Sequence, residues 1–242
     1  MEPFAGSAAL FFSSTPKAGV LADLNGHLIN AMRQVRDRPK LVHTSLSALD
    51  RSAETFYRCR ERFNELEPRG IEPAVLFIYL NRNCFNGLWR TNQSGKFNVP
   101  YGGEKMANTP PYDLFKSCSE ALQKAKLRHQ DFRRTIASAN YETFIFADPP
   151  YFTATERTFI EYGQKSFGSQ DLSDLIEALV QASERGAAVA LTYHGEARLD
   201  GIPDEWTRMH FDVTRNVGGF KGYRKKQGEI LYLSQPFRGM HQ

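Results

Sequence analysis

Four consecutive residues, Asp148, Pro149, Pro150 and Tyr151, combine groups that can hold and activate an aromatic amine. The carboxylate of Asp148 and a proline carbonyl are two acceptors for the two hydrogens of an amino group. Proline has no N–H and fixes the direction of the chain, so its carbonyl is held rigidly. Tyr151 offers a ring face, and stacking of a base on an aromatic ring is worth about 1–3 kcal/mol. These groups indicate activation of an exocyclic base nitrogen, such as N6 of adenine, toward an electrophilic methyl group.

The same four residues directly follow a predicted buried strand, Thr143–Ala147. In an open α/β sheet, ligands bind outside the carboxyl ends of the strands, so a polar cluster here marks an expected site. A base inside a duplex must be flipped out to reach such a site, at a cost of about a few kcal/mol that is comparable to the stacking energy from Tyr151. The alternative is that the four residues form only a rigid turn.

Strand-like and helix-like segments alternate on both sides of this motif. Near the start, a strand tail at Met1–Phe4 leads through small residues to a short helix, Ala9–Phe12. A second strand, Val20–Leu24, precedes a helix whose apolar residues recur at helical spacing until Pro39 stops it. This alternation predicts a parallel α/β sheet.

The alternation resumes after residue 116. The pattern predicts a helix through Leu122 and Leu127, and a helix Leu172–Ser183 that Gly186 caps. The predicted strands of this part are Ala187–Thr192, His210–Thr214 and Glu229–Leu233.

Residues 51–116 interrupt the alternation and predict an inserted subdomain. Within it, Arg90–Gln93 and Lys96–Val99 flank Ser94 and Gly95, a pair suited to a β-hairpin turn because glycine tolerates positive φ. We therefore predict two parts: a main domain formed by residues 1–50 and 117–242, and a helical and β-hairpin subdomain formed by residues 51–116.

Composition and charge limit the function classes. With 41% hydrophobic and 24% charged residues, and no apolar run near the roughly 20 residues that a membrane span needs, the chain is predicted to be a soluble, cytoplasmic protein. Its three cysteines form no CxxC pair, so neither a disulfide framework nor a metal site is expected. The net charge of +4 is mild, but the basic residues form clusters that permit contact with a polyanion. These clusters are Arg33, Arg36, Arg38 and Lys40; Lys124, Lys126 and Arg128; and Lys221, Arg224, Lys225 and Lys226.

With the Asp148–Tyr151 motif, the sequence resembles the Dam-type DNA adenine N6-methyltransferases of the D12 class, whose motif is DPPY. Glu2–Gly6 is similar to the family's EPFxG turn, Ala22–Asn25 to its ADxN segment, and Asp131 with Phe132 to its DF pair. The longest similar stretch runs from Leu80 to Gly102, where the family has NRxxxNGLxRxNxxGxFNVPFG.

The resemblance implies a Rossmann-like methyltransferase sheet that carries residues 51–116 as a target-recognition subdomain. It implies transfer of a methyl group from S-adenosylmethionine to N6 of a flipped adenine in double-stranded DNA, at GATC or a related site. A monomer encoded by a bacterium or phage is expected, with a restriction–modification or epigenetic role.

The resemblance also assigns residues, in three groups. The catalytic residues are Asp148, Pro149, Pro150 and Tyr151, and the cofactor-binding residues are Glu2, Phe4, Gly6, Asp23, Asp131 and Phe132. The DNA-binding residues are Arg90, Asn92 and Lys96 in the hairpin, and Lys221, Arg224 and Lys225 in a basic loop.

Several of these roles have a plainer structural alternative. Gly6 is expected to let the backbone approach the methionine part of the cofactor, and Asp23 to accept hydrogen bonds from ribose hydroxyls. The alternatives are that Gly6 only forms a turn and that Asp23 is a helix N-cap. Asn92 could equally cap a turn, and the basic loop could be solvated surface.

The sequence departs from the family pattern at three places. Met1 stands directly before Glu2, where the family has a further segment with a KWAGGK-like stretch, so a truncated start or an incomplete cofactor site is expected. Ala8 replaces the second turn glycine, which is tolerated if its φ is negative. The SNHD segment appears as Thr192, Tyr193, His194 and Gly195, in which His194 either shapes the adenine pocket or only packs. A catalytically weakened relative that binds DNA without methyl transfer is the alternative function.

Overall fold

The computed structural model describes residues 1–103, 108–150, 167–194, 199–214 and 226–234. Four residues with predicted roles, Tyr151, Lys221, Arg224 and Lys225, lie outside the described residues. The described part is a mixed α/β protein that divides into two compact units. The Asp148 unit comprises residues 1–5, 130–150, 167–194, 199–214 and 226–234, and the hairpin unit comprises residues 6–103 and 108–129.

Eight α-helices and six β-strands form in the described residues. The helices are α1 (Ala9–Ser14), α2 (Gly26–Asp37), α3 (Pro39–Ser47), α4 (Ala53–Phe63), α5 (Ile71–Asn83), α6 (Tyr112–Leu122), α7 (Phe132–Ile136) and α8 (Ser169–Glu184). The strands are β1 (Gly19–Asp23), β2 (Ala125–His129), β3 (Phe144–Ala147), β4 (Ala188–His194), β5 (Thr207–Thr214) and β6 (Lys226–Leu233). A short 3₁₀ turn spans Phe85–Gly87.

In the hairpin unit, helices surround a core to which α5 contributes most. Nearly every side of α5 is apolar, as expected for a helix with neighbours all round, and Tyr79 and Leu80 are fully buried. Strands β1 and β2 pair in parallel, from Gly19 opposite Ala125 to Asp23 opposite His129. The parallel pairing sets the carboxyl end of β1, where Asp23 lies, at the same sheet edge as the end of β2.

In the Asp148 unit, one sheet has the strand order β3-β4-β6-β5. Strands β3 and β4 are parallel, and β6 runs antiparallel to both of its neighbours. Helix α8 lays Leu175 and Leu179 on the core, which includes Ile145 of β3 and Leu191 of β4. Since Ala147 lies opposite Leu191, Asp148 leaves the end of β3 beside Thr192, which is still within β4.

Most of the predicted elements are present, with shifted ends, but the helix predicted through Leu127 is wrong. Leu127 lies in β2 rather than in a helix, because Ala125 and Leu127 are buried while Lys126 between them is exposed, which is the alternation of a strand. Pro39 ends α2 but also begins α3, since its fixed φ suits the first helical position. Gly186 follows α8 with a φ of 90°, as its predicted capping role requires.

Neither a membrane-spanning helix nor a metal-binding group occurs in the described residues. No helix among them has the length and apolar character that a membrane crossing requires. No group of three or more metal-ligating side chains is found among them either. The two compact units are defined by packing, whereas the division at residues 51 and 116 is inferred from the break in the alternation of strands and helices, so that division stays a prediction.

Arg133 ties α7 to α8 within the Asp148 unit. Its guanidinium lies 2.6 Å from Asp171 Oδ1, 2.7 Å from Asp174 Oδ2 and 3.0 Å from Asp131 Oδ2. The hydrogen bond from Arg133 holds the pKa of Asp171 below its ordinary value, and bonds from Gln170 and then Arg133 do the same for Asp174. The ionised carboxylates therefore stabilise the folded state.

We predict that Arg133→Met lowers the free energy of unfolding by about 1 kcal/mol at neutral pH, a modest value because solvent screens these partly exposed pairs. The folded-state pKa values are lowered, so this contribution is fully present above the ordinary aspartate pKa and is lost as the pH falls through the folded values. Urea unfolding of wild type and variant between neutral pH and about pH 2 measures it, because the range must extend below the lowered pKa values. Arg134→Met, on the exposed side of α7, is the control; a difference that grows toward acid pH contradicts the prediction.

Candidate active site and nucleic-acid interface

Asp148 begins the segment that leaves β3, and its side chain is exposed. Its neighbours Ala147 and Pro149 are buried, so the carboxylate is the polar group that this end of the strand presents. The hydroxyl Oγ1 of Thr192, on the adjacent strand β4, donates a hydrogen bond of 2.7 Å to Asp148 Oδ1. Pro150 is half-buried, and Tyr151 lies outside the described residues.

The Asp131 carboxylate is held at the start of α7. It accepts a hydrogen bond of 2.8 Å from the backbone N–H of Arg133, which makes Asp131 the N-cap of this helix. The Arg133 guanidinium binds the same carboxylate and lies 4.4 Å from the centre of the Phe132 ring. Asp131 is thus fixed in orientation while it remains half-buried.

Phe132 belongs to a group of three phenylalanines in the Asp148 unit. Its ring centre lies 5.2 Å from that of Phe4 and 6.2 Å from that of Phe167, and the Phe4 and Phe167 rings are 5.9 Å apart in an edge-to-face arrangement. Phe132 is buried, whereas Phe4 and Phe167 are half-buried. Sequence reasoning missed Phe167, which lies in no recognised motif.

Met1 and Glu2 lie beside β3 in the same unit. The backbone N–H of Phe146 donates a hydrogen bond of 2.9 Å to the Met1 carbonyl, so the chain enters the unit along this strand. Glu2 is buried, with 7% of its surface exposed. A buried carboxylate requires polar partners. Burial lowers the pKa of the Met1 amino group, and the charge of Glu2 opposes this only in part.

Asp23 lies at the end of β1 in the hairpin unit, where it holds the turn that contains Gly6. The Gly6 N–H donates a hydrogen bond of 3.0 Å to Asp23 Oδ2, and the Asn25 N–H donates one of 2.8 Å to Oδ1. Burial raises the pKa of Asp23, and these two bonds partly oppose the rise. The N-cap of α2 is Asn25, whose side chain accepts from His27 and Leu28, so the N-cap alternative for Asp23 is wrong.

The turn at Gly6 and Ala8 is left-handed at both residues. Gly6 has a φ of 46°, and a Cβ there would meet nothing of the chain within 4 Å. Ala8 has a φ of 51°, so the condition of a negative φ, under which its replacement of glycine would be tolerated, is not met. The left-handed backbone conformation costs an alanine roughly 1–2 kcal/mol. The burial of the Ala8 side chain helps to offset this cost.

The predicted β-hairpin is present in the hairpin unit, with a longer turn than expected. Thr91 and Phe97 form an antiparallel bridge, and the Asn92 N–H donates to the Lys96 carbonyl at 2.9 Å. The Gly95 N–H donates to the Asn92 carbonyl at 2.9 Å, and Gly95 has a φ of 76°. The loop therefore has three residues, 93–95, and glycine occupies its left-handed position.

The three predicted DNA-contacting residues of the hairpin have different surroundings. Asn92 Oδ1 accepts hydrogen bonds from the backbone of Ser94 and Lys96, both at 3.0 Å, and so braces the tip. Arg90 is half-buried and donates from Nε to Asn98 Oδ1 at 2.8 Å. Lys96 is exposed at the tip.

The base of the hairpin is anchored by Asn64, which follows α4. Its Nδ2 donates to the Phe97 carbonyl at 3.0 Å, and its Oδ1 accepts from the Phe97 N–H at 2.8 Å. Trp89 packs between Phe77 and Phe97, with ring centres 4.6 and 4.8 Å away. Sequence reasoning missed Asn64, because a residue 33 positions from its partner leaves no local pattern.

His194, at the end of β4, stacks on the ring of its neighbour Tyr193, with centres 5.1 Å apart and an interplanar angle of 17°. Of the two roles expected for His194, this contact agrees with packing. Gly195, the last residue of that segment, lies outside the described residues.

Comparisons with known proteins agree on one family. Residues 1–217 match the sequence model of the D12 class N6 adenine-specific DNA methyltransferases. The chain is 30% identical to "Type II methyltransferase M1.LlaDCHI" of Lactococcus lactis subsp. cremoris, over 95% of this chain and 84% of that protein. It is 32% identical to a "DNA adenine methylase" of Salmonella typhi, over 98% and 86% of the two chains. It is 34% identical to one of Serratia marcescens, over 96% and 88%.

We predict that Asn64→Ala loosens the hairpin. The variant leaves the N–H of the buried Phe97 without its acceptor, which costs about 1–3 kcal/mol, so the Phe97 amide should exchange its hydrogen about 5- to 100-fold faster. Hydrogen exchange measured by NMR on the full chain reports this residue directly. Glu65→Ala, next along the chain and exposed, is the matched control. Unchanged Phe97 exchange in Asn64→Ala would show that the ring packing alone holds the hairpin.

Proposed function

Since the chain belongs to the D12 class of N6 adenine-specific DNA methyltransferases, we propose that it transfers a methyl group from S-adenosylmethionine to N6 of a flipped adenine in duplex DNA. The observation that carries this proposal is the exposed carboxylate of Asp148 at the carboxyl end of β3. Ligands of open α/β sheets bind outside the carboxyl ends of the strands, so a carboxylate at this position can accept a hydrogen bond from a ligand.

In this proposal, Asp148 and a carbonyl of Pro149 or Pro150 accept the two hydrogens of the adenine amino group. The N6 lone pair is delocalised into the ring, and two fixed acceptors favour the pyramidal nitrogen that reaction requires. Asp148 is also the acceptor nearest to the proton that N6 must lose. Tyr151 stacks on the base and offsets part of the cost of flipping it out of the duplex.

Residues of the Gly6 turn, the end of β1 and the start of α7 suit the methyl donor. S-adenosylmethionine supplies an electrophilic methyl group when bound. Gly6 leaves open space where a side chain would begin, as a close approach to a ligand requires, and the half-buried Asp23 retains lone pairs for ribose hydroxyls. Asp131 and Phe132 contact the adenosyl group, while Phe4 and Glu2 complete the residues assigned to this donor.

Hairpin residues Arg90, Asn92 and Lys96 read the DNA sequence in this proposal, and the loop with Lys221, Arg224 and Lys225 binds phosphates. The side chain of Asn92 braces the tip through its oxygen, so its amide N–H groups are the part that reaches a base. Each bidentate contact to a base gives about 1–3 kcal/mol of discrimination, enough for a few such contacts to select GATC or a related short site. The exposed tip of Lys96 supports this role.

We further propose a Rossmann-like sheet as the fold type, with residues 51–116 as the target-recognition subdomain and a monomer as the working form. The parallel pairs β1–β2 and β3–β4 support a sheet of this type. The hairpin anchored by Asn64 supports a recognition role for the segment that contains it.

We predict that Asp148→Ala reduces methyl transfer at least about 100- to 1,000-fold, because it removes one of the fixed acceptors. Incorporation of labelled methyl groups from S-adenosylmethionine into DNA measures the loss. DNA affinity, measured by gel mobility shift, should stay within about threefold, because the substitution removes no phosphate contact.

Two outcomes separate the proposal from its alternatives. Normal turnover by Asp148→Ala would overturn the role of this carboxylate. Wild-type protein that binds DNA but transfers no label would favour a relative that binds DNA without methyl transfer.

We predict opposite effects for two lysines. Lys96→Ala should relax the sequence preference by about 5- to 100-fold, because a base contact is lost. Lys225→Ala should weaken binding to all sequences and reduce the slope of log affinity against log salt concentration by about 0.9, because one phosphate contact is lost. Binding titrations on matched and mismatched duplexes at several salt concentrations measure both. Identical behaviour of the two variants contradicts the division between base reader and phosphate contact.

A further inference from the structure

We infer that Thr192 is a positioning residue for the methyl transfer: its hydroxyl orients the carboxylate of Asp148. This inference rests on the proposed function, because it assumes that Asp148 accepts a hydrogen from the adenine amino group. No motif assignment made above gives Thr192 a role, and its place in the sheet gives it one.

The contact is short and joins the residue that follows β3 to a residue within β4. Thr192 Oγ1 lies 2.7 Å from Asp148 Oδ1 and 3.4 Å from the Ala147 carbonyl. A hydroxyl has one hydrogen to donate, and the shorter distance to a charged acceptor favours the carboxylate. Thr192 is 9% exposed, so water competes little for this bond.

Thr192 itself is held on both sides. It lies in β4, between β3 and β6 in the sheet, and pairs with Leu231 of β6. A β-branched side chain in a strand has a restricted χ1, so the hydroxyl has little freedom to turn away. The rigid sheet therefore fixes the position of the donor, and through it the rotation of the Asp148 side chain.

The hydrogen bond from Thr192 gives the two carboxylate oxygens of Asp148 different roles. Oδ1 receives the hydroxyl of Thr192, whereas Oδ2 accepts no hydrogen bond from the part of the chain that the structure describes. Oδ2 is thereby left for the amino hydrogen of the base. Without the hydroxyl, the exposed carboxylate can rotate, and a misplacement of about 1 Å in a reacting geometry can cost about 100-fold in rate.

The same sheet contains a matched control. Ser234 follows β6, is buried, and accepts a hydrogen bond of 2.9 Å from the Val189 N–H of β4. Ser234→Ala removes a buried hydrogen bond to β4, the strand that carries Thr192, but at a distance from Asp148 in the sheet register. Any effect of general sheet weakening should therefore appear in Ser234→Ala as well.

The test compares Thr192→Val, Thr192→Ala, Thr192→Ser and Ser234→Ala in the full chain. Single-turnover transfer of labelled methyl groups to a duplex that contains the preferred site gives the rate of the chemical step. Steady-state titration gives KM for DNA, and the urea midpoint reports folding for every variant. Thr192→Ala, which only removes atoms, is the second variant in case valine disturbs the sheet.

We expect Thr192→Val and Thr192→Ala to lower the single-turnover rate about 10- to 100-fold, as loss of a supporting bond to a reacting group does. KM for DNA should stay within about twofold, because the ground-state contacts remain. Thr192→Ser, which keeps the hydroxyl, should restore most of the rate. Ser234→Ala should lower the urea midpoint and leave the rate unchanged.

Three results would overturn the inference: folded Thr192→Val or Thr192→Ala with the wild-type rate, Thr192→Ser as slow as Thr192→Ala, or Ser234→Ala with the same loss of rate. In each of these cases the wild-type protein still methylates DNA and the proposed function stands. Wild-type protein that transfers no methyl group overturns the proposed function, and this inference with it.

Discussion

The parallel pairing of β3 with β4 is the constraint on which the Asp148 unit depends. It places the carboxyl end of β3 beside Leu191 within β4, so the first polar residues after Ala147 and Leu191 lie next to each other. Those residues are Asp148 and Thr192, and a 2.7 Å hydrogen bond joins them. The apolar strands and α8 form the rigid support, and the exposed carboxylate is the chemical group that this support holds in place.

The hairpin unit likewise combines a rigid support, the base of the hairpin, with an exposed polar group at its tip. Asn64 and Trp89 fix the base of the hairpin through two backbone hydrogen bonds and ring packing, while the side-chain oxygen of Asn92 holds the three-residue turn. Lys96 projects from this fixed frame into solvent. Such an arrangement suits the proposed role of the hairpin in reading DNA sequence, because ordering a mobile loop on binding costs conformational entropy.

Local patterns in the sequence predicted a large part of this structure, and long-range contacts account for what they missed. The apolar run before Asp148 and the helical spacing before Gly186 were sufficient for β3 and α8, and Gly95 was sufficient for a hairpin. The strand at Leu127 was missed because its five residues carry only two buried apolar positions. The bonds of Thr192 to Asp148 and of Asn64 to Phe97 join residues 44 and 33 positions apart, and such pairs leave no spacing to read.

The identity of the modified nucleoside is the decisive measurement for methylation of adenine N6 by this chain. Duplex DNA without modified bases is incubated with the full chain and S-adenosylmethionine, digested to nucleosides and analysed by mass spectrometry. We expect N6-methyl-2′-deoxyadenosine to accumulate only when both protein and methyl donor are present. Methyl groups on cytosine, or DNA that stays unmodified while the protein binds it, would show that the chain does not methylate adenine N6.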